Sequence, residues 1–190
     1  MPMRLPKTND LAAAAREEGD LRAARRVLRF AGEALSALSG SLDGSFTHAL
    51  DLLSAVRGRV VVSGMGKSGH VGRKLAATLS STGTPAQFVH PAEASHGDLG
   101  ALTRTDALIM LSNSGETAEL SDLITYAKRH GIPLIGIASN PDSALITAAD
   151  AGLVLPKAQE ACPMGLAPTT STTLMLALGA SFVLKGPSGE

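Results

Sequence analysis

Leu108-Ile109-Met110-Leu111-Ser112-Asn113-Ser114-Gly115-Glu116-Thr117 is the stretch from which the fold is read. Its unbroken apolar run suits a strand buried on both faces, as in a parallel sheet. Leu120, Leu123, Ile124 and Ala127 then recur at helical spacing, so the spacing predicts a helix opening in the hydroxyl-rich turn. A helix start leaves backbone N–H groups unpaired, and Ser112, Ser114 and Thr117 add hydroxyls at the same point. The expectation is a pocket for an anion, most simply a phosphate. The plainer alternative is that Asn113 and Glu116 are an N-cap and its partner three residues on.

A second stretch of the same kind lies upstream. Val60-Val61-Val62 is a β-branched run ending in Ser63-Gly64-Met65-Gly66-Lys67-Ser68-Gly69-His70, before a helix through about Thr82. Gln87-Phe88-Val89, Pro133 to Ala138 and Gly152-Leu153-Val154-Leu155 read as further strands. With helical segments between them, the class is α/β: a doubly wound, five-stranded parallel sheet flanked by helices. Two helices precede the sheet. One carries the stripe Ala24, Val27, Leu28, Ala31, Leu35 and Leu38 flanked by Arg22, Arg25, Arg26 and Arg29; the other carries Leu42, Phe46, Ala49, Leu50 and Leu53. Pro168 is expected to open the last helix, and the tail from Gly186 to Glu190 is expected to fray.

Composition narrows the function classes. The 190 residues are 44% hydrophobic with zero formal net charge and only 3% aromatics, which argues against nucleic acid as a partner: there is no basic field and no stacking platform. The single cysteine, Cys162, excludes an internal disulfide and reads as a small core residue in a reducing, cytoplasmic compartment. No apolar run approaches membrane-spanning length, and the start, with Lys7, Asp10, Arg16 and Glu17, lacks a signal-peptide core.

Gly64, Gly66 and Gly69 satisfy the dinucleotide fingerprint, but His90 stands where the ribose-binding acid belongs, with Glu93 beyond. A nucleotide P-loop needs a glycine where Val61 stands. What remains is a short glycine turn bringing N–H groups, Ser68 and the Lys67 ammonium to the carboxyl edge of the sheet. The binding crevice of such a sheet opens where neighbouring connections leave for opposite faces, so the two hydroxyl turns can hold one phosphorylated ligand. His90 and His96 lie close to the same edge, without a third metal ligand, whereas His48 and His130 read as ordinary surface or packing residues. Glu116 and Glu119 fall one helical turn apart, and Glu160 stands in an irregular segment between Pro156 and Pro168.

Together these motifs resemble the sugar isomerase (SIS) domain and, within it, the arabinose-5-phosphate isomerases. The general marks are the Ser112 to Thr117 turn and the glycine turn. The narrower match is Gly64 to His70, Ser81-Thr82-Gly83-Thr84-Pro85, Phe88-Val89-His90-Pro91, Ser95 to Gly100 and Glu160 to Thr173, within a likeness running from about Ala31 to Leu178. The resemblance implies a five-stranded sheet in flavodoxin-like order, with 1–40 a helical segment, 41–185 the phosphosugar-binding domain and 186–190 a tail. It implies interconversion of D-ribulose 5-phosphate and D-arabinose 5-phosphate, feeding synthesis of the octulosonate sugar of lipopolysaccharide, by a homotetramer that requires no cofactor. Lys67, Glu119 and Glu160 carry over as catalytic positions. Ser68, Gly83, Thr84, His90, His96, Ser112, Asn113, Ser114 and Thr117 carry over as substrate contacts, with His90 also the site of a non-essential zinc. The reaction moves a proton between adjacent carbons through an enediol, so it needs a base, either Glu119 or Glu160, and a group such as Lys67 to steady oxygen charge.

The pattern breaks near the end. Family members continue into a His-Pro-Gly-Gly segment, whose histidine joins the active site, and often into paired CBS domains. Here Gly179-Ala180-Ser181-Phe182 replaces the usual Gly-Asp-Ala, and the chain stops at Glu190. The expectation is therefore an isomerase, impaired by the loss of that histidine. The alternatives are a non-catalytic phosphosugar-binding module, or an isomerase of another phosphosugar.

Overall fold

A computed structural model describes residues 8–184; Lys7 and the 186–190 tail lie outside the described residues. Five strands, β1 (Val60–Gly64), β2 (Ala86–Phe88), β3 (Ala107–Leu111), β4 (Leu134–Ala138) and β5 (Ala151–Val154), form one sheet. Its order is β2-β1-β3-β4-β5 and every pair is parallel. β1, β3 and β4 are buried along their whole length, which is why each reads as a continuous apolar or β-branched run instead of an alternating one.

Alternate side chains build two cores. Val60, Val62, Ile109, Leu111, Ile135 and Ile137 face α3 (Gly66–Ser81), α7 (Thr170–Ser181), α2 (Gly44–Ser54) and the end of α1 (Thr8–Ser41). Val61, Leu108, Met110 and Leu134 face α4 (Pro91–Ser95), α5 (Ser121–His130) and α6 (Ala144–Ala148). Each buried Leu, Ile or Val contributes about 1.5–3 kcal/mol to this packing. The helix after β1 thus covers one face and the helix after β3 the other, and the connections part between these two neighbouring strands. The register runs from Val60 opposite Ala107 to Gly64 opposite Leu111, so the strands end level.

Several elements differ from the expected ones. α1 is longer than its apolar stripe; Ala34 and Leu38 are buried, but Val27 and Leu28 are 40% and 72% exposed, because only the later turns of α1 pack against α7 and the core. The helix after β3 starts at Ser121, not in the hydroxyl turn. A single 3₁₀ turn, Ala118–Leu120, comes first, so Glu116 and Glu119 do not share a helix. The last helix opens at Thr170, two residues after Pro168, because Thr169 is not helical (φ −131°, ψ −71°). Cys162 is a half-buried loop residue, not a core one.

Candidate functional site

The two loops that leave the level ends of β1 and β3 are held together by missing side chains. A Cβ on Gly69 would lie 2.5 Å from the Gly64 carbonyl oxygen; one on Gly64 would lie 2.8 Å from the Leu111 oxygen and 3.2 Å from the Ser68 carbonyl carbon. Glycine therefore lets the first turn of α3 collapse onto the end of β1 and against the end of β3. Gly66, at φ +53°, makes the bend. Ser68 and Ser114 consequently leave the same edge, from adjacent strands. Lys67 projects from this first turn, exposed and without an ion-pair partner among the described residues.

The turn after β3 is closed by its own side chains. The Gly115 N–H donates to the Ser112 hydroxyl (3.0 Å), which pairs with the Thr117 hydroxyl at 2.7 Å, and the Glu116 N–H donates to the Ser114 hydroxyl. Ser112 is 3% exposed, so its hydroxyl organises the turn from inside, whereas Asn113 and Ser114 are exposed. The turn is also tied to the loop after β4. Ser139 donates its hydroxyl to the Asn113 side-chain oxygen (2.7 Å), and Ala144 at the start of α6 donates its N–H to the Glu116 carboxylate (2.8 Å). Glu116 therefore spans 28 residues to hold the turn, instead of capping the helix that follows it.

Glu160 sits at the start of α7. Its Oε2 accepts the Thr169 N–H (2.6 Å), the Thr169 hydroxyl (2.8 Å) and the Thr170 N–H (2.8 Å), and its Oε1 accepts the Ser171 N–H at 3.4 Å. Partial burial alone would raise this carboxyl. The adjoining Ser171 side chain, the Thr169 backbone and hydroxyl and the Thr170 backbone outweigh it and hold Glu160 below the ordinary carboxylate value. An anion already occupies this helix start, which is then no cradle for a second. α7 packs on α3 with Gly179 against Leu75; both helices run away from the carboxyl edge, and nine residues upstream of that contact lie Thr170 and Gly66.

His90 and His96 bracket α4 as its two flanking residues. His90 is half-buried, edge-on to Phe88 at 6.4 Å, and its Nδ1 is buried without a hydrogen-bond partner. The buried Ser63, which carries no signal in the sequence, seats it by donating to the Val89 carbonyl at 2.8 Å. Among the described residues no three His, Cys, Asp or Glu, His90 included, come together in a group that could hold a metal ion. Glu119 is exposed on the 3₁₀ turn after Thr117. Gly83 (φ +92°) and Thr84 lie between α3 and β2, at the amino edge, so this chain does not bring them to the crevice. His130 packs its ring on Tyr126 at 4.2 Å, and His48 is exposed on α2. The Cys162 thiol is ringed by the backbone N–H groups of Ala167, Met164, Leu166 and Gly165, which lower its pKa.

Residues 52–185 match the SIS domain family. The chain is 51% identical over 164 residues to arabinose 5-phosphate isomerase KdsD of Pseudomonas aeruginosa, an alignment covering 86% of this chain and 50% of that protein. It is 51% identical over 161 residues to arabinose 5-phosphate isomerase KpsF of Escherichia coli, covering 84% and 51% respectively. The chain thus spans about half the length of the curated relatives it matches. Among solved structures, the E. coli CFT073 protein c3406 in complex with arabinose 5-phosphate superposes with a TM-score of 0.80 and 36% identity, over 94% of this chain and 90% of that one.

Proposed function

Because the chain belongs to the SIS domain family, we propose that it is an aldose–ketose isomerase that interconverts D-ribulose 5-phosphate and D-arabinose 5-phosphate. The observation that carries this reading is the junction of β1 and β3, where two donor-rich turns leave level, adjacent strands and the exposed Lys67 ammonium stands at one of them. A phosphate carries about −1.5 to −2 charges at neutral pH, so several donors must converge on it. The first N–H groups of α3 with Ser68, and Asn113, Ser114 and Thr117 of the facing turn, supply them. Ser112 contributes by holding that turn in shape.

In the reaction a base takes a proton from C1 of the ketose, the C2 carbonyl oxygen gains charge as the enediolate forms, and a proton returns to C2. The C1 hydroxyl proton passes to the C2 oxygen at the same time, so that C1 becomes the aldehyde and C2 carries the hydroxyl. Lys67 steadies the oxygen charge, His90 and His96 border the sugar, and a carboxylate from Glu119 or Glu160 moves the carbon-bound proton. Such a group is worth about 10² to 10⁴ in rate. The same reading makes the chain a cytoplasmic homotetramer whose product feeds lipopolysaccharide octulosonate synthesis. It is supported by the identity to KdsD and KpsF.

Incubation of the purified chain with ribulose 5-phosphate, with arabinose 5-phosphate followed in time, tests it. The departure from the family's usual Gly-Asp-Ala at Gly179-Ala180-Ser181 carries one second reading, a non-catalytic phosphosugar-binding module. Saturable binding without product selects that reading, and turnover of hexulose or sedoheptulose phosphates alone selects another isomerase of this fold.

A further inference from the structure

We infer that Glu160 is a positioning residue whose carboxylate anchors the 156–169 loop to the start of α7, and that the carbon-bound proton is taken by Glu119. The second half rests on the isomerase reading above; the first does not.

The hydrogen bonds decide the division. Glu160 Oε2 already accepts three donors at 2.6–2.8 Å, and the ring closes through Thr169, whose hydroxyl accepts the Ala161 N–H at 2.8 Å. The side chain thus fastens both ends of its own loop, Ala161 and Thr169 to Ser171. Charge-assisted bonds of this length are roughly twice as strong as neutral ones. Accepting a proton would remove the charge that sustains them, so each catalytic cycle would loosen the start of α7. A base works best when its pKa lies near the operating pH, and this carboxylate is held below its ordinary range. Glu119 holds no such bonds: it is exposed, has no hydrogen-bond partner among the described residues, and stands two residues after Thr117 in the turn that leaves β3.

The test compares Glu160→Gln, Glu160→Ala and Glu119→Gln. Glutamine keeps an acceptor oxygen for the N–H groups. Glu160→Gln is therefore expected to lower kcat by less than about tenfold and to keep the acid limb of the kcat/KM profile, whereas Glu119→Gln loses about 10² to 10⁴ and that limb with it. Amide exchange at Thr170 and Ser171 reads the anchor without activity: it accelerates tenfold or more in Glu160→Ala and stays near the parent rate in Glu160→Gln. Loss of the acid limb in Glu160→Gln, with exchange unchanged, overturns the assignment of the base. Unchanged exchange in Glu160→Ala overturns the anchor. A parent chain without turnover removes the isomerase reading and Glu119 with it, and the exchange rates still decide the anchor.

Discussion

Gly115→Ala is a perturbation whose effect the structure specifies part by part. Gly115 sits at φ +73°, a conformation costing an L-residue about 1–2 kcal/mol. The added methyl would meet Ser143, lying 2.1 Å from its Oγ and 2.4 Å from its Cβ, with the Ala138 Cβ at 3.2 Å. Ser143 cannot step aside: it is fully buried, donates to the Asn140 carbonyl at 2.8 Å and caps α6. Overpacking of this kind costs about 1–3 kcal/mol and a lost cap about 1 more. The total is about 3–6 kcal/mol, against ordinary domain stabilities of roughly 5–15. At about 2–4 °C per kcal/mol for this chain length, the melting temperature should fall by at least ~6 °C. Gly131→Ala is the control. It has φ +65° but nothing within 4 Å of the added carbon, so its cost is the conformational part alone. Thermal and urea unfolding followed by circular dichroism measure both. Equal losses in the two variants would refute the steric argument.

Asp106 is 3% exposed and accepts the backbone N–H groups of Arg59 and Thr103 together with the Thr103 hydroxyl. Asp106→Ala removes the charged acceptor of two part-buried backbone donors, at up to about 1–3 kcal/mol each, and urea unfolding should show a loss of about 2–6 kcal/mol. Lys67→Ala should leave the melting temperature within about 1 °C, since the side chain is exposed and has no ion-pair partner among the described residues, while phosphosugar turnover or affinity drops at least tenfold; unchanged kinetics remove Lys67 from the mechanism. Glu160 has a folded pKa below its unfolded value, so it stabilises the fold above about pH 4.5 and that contribution is lost as pH falls through the lower folded value. The stability gap between the parent chain and Glu160→Gln should therefore hold constant at neutral pH and shrink below pH ~4.5 in denaturant titrations, and a gap that widens on acidification contradicts the sign.

The strands and their turns were legible because burial on both faces and glycine punctuation are local signals. Val60 to Val62 and Leu108 to Leu111 announce buried parallel strands, and Gly64, Gly66 and Gly69 announce a close approach of backbone to backbone. Other features rest on partners far along the chain. Glu116 looks like a helix-capping partner in sequence, yet its carboxylate binds Ala144; Glu160 looks like a loop acid, yet it anchors α7; Ser63 gives no signal at all. The late start of α5 is of the same kind, since the Ser112 to Thr117 bridge and the positive φ at Gly115 turn the chain before a helix can begin.

By itself, then, the sequence determined the α/β class, the parallel sheet and the two donor-rich turns, through hydrophobic runs and backbone freedom that act over a few residues. Only the tertiary structure decided that β1 and β3 end level and side by side, that Gly83 and Thr84 go to the opposite edge, and which carboxylates are spent on backbone donors. Strand order and long-range hydrogen bonds depend on residues brought together by packing, and no local pattern encodes who those neighbours are.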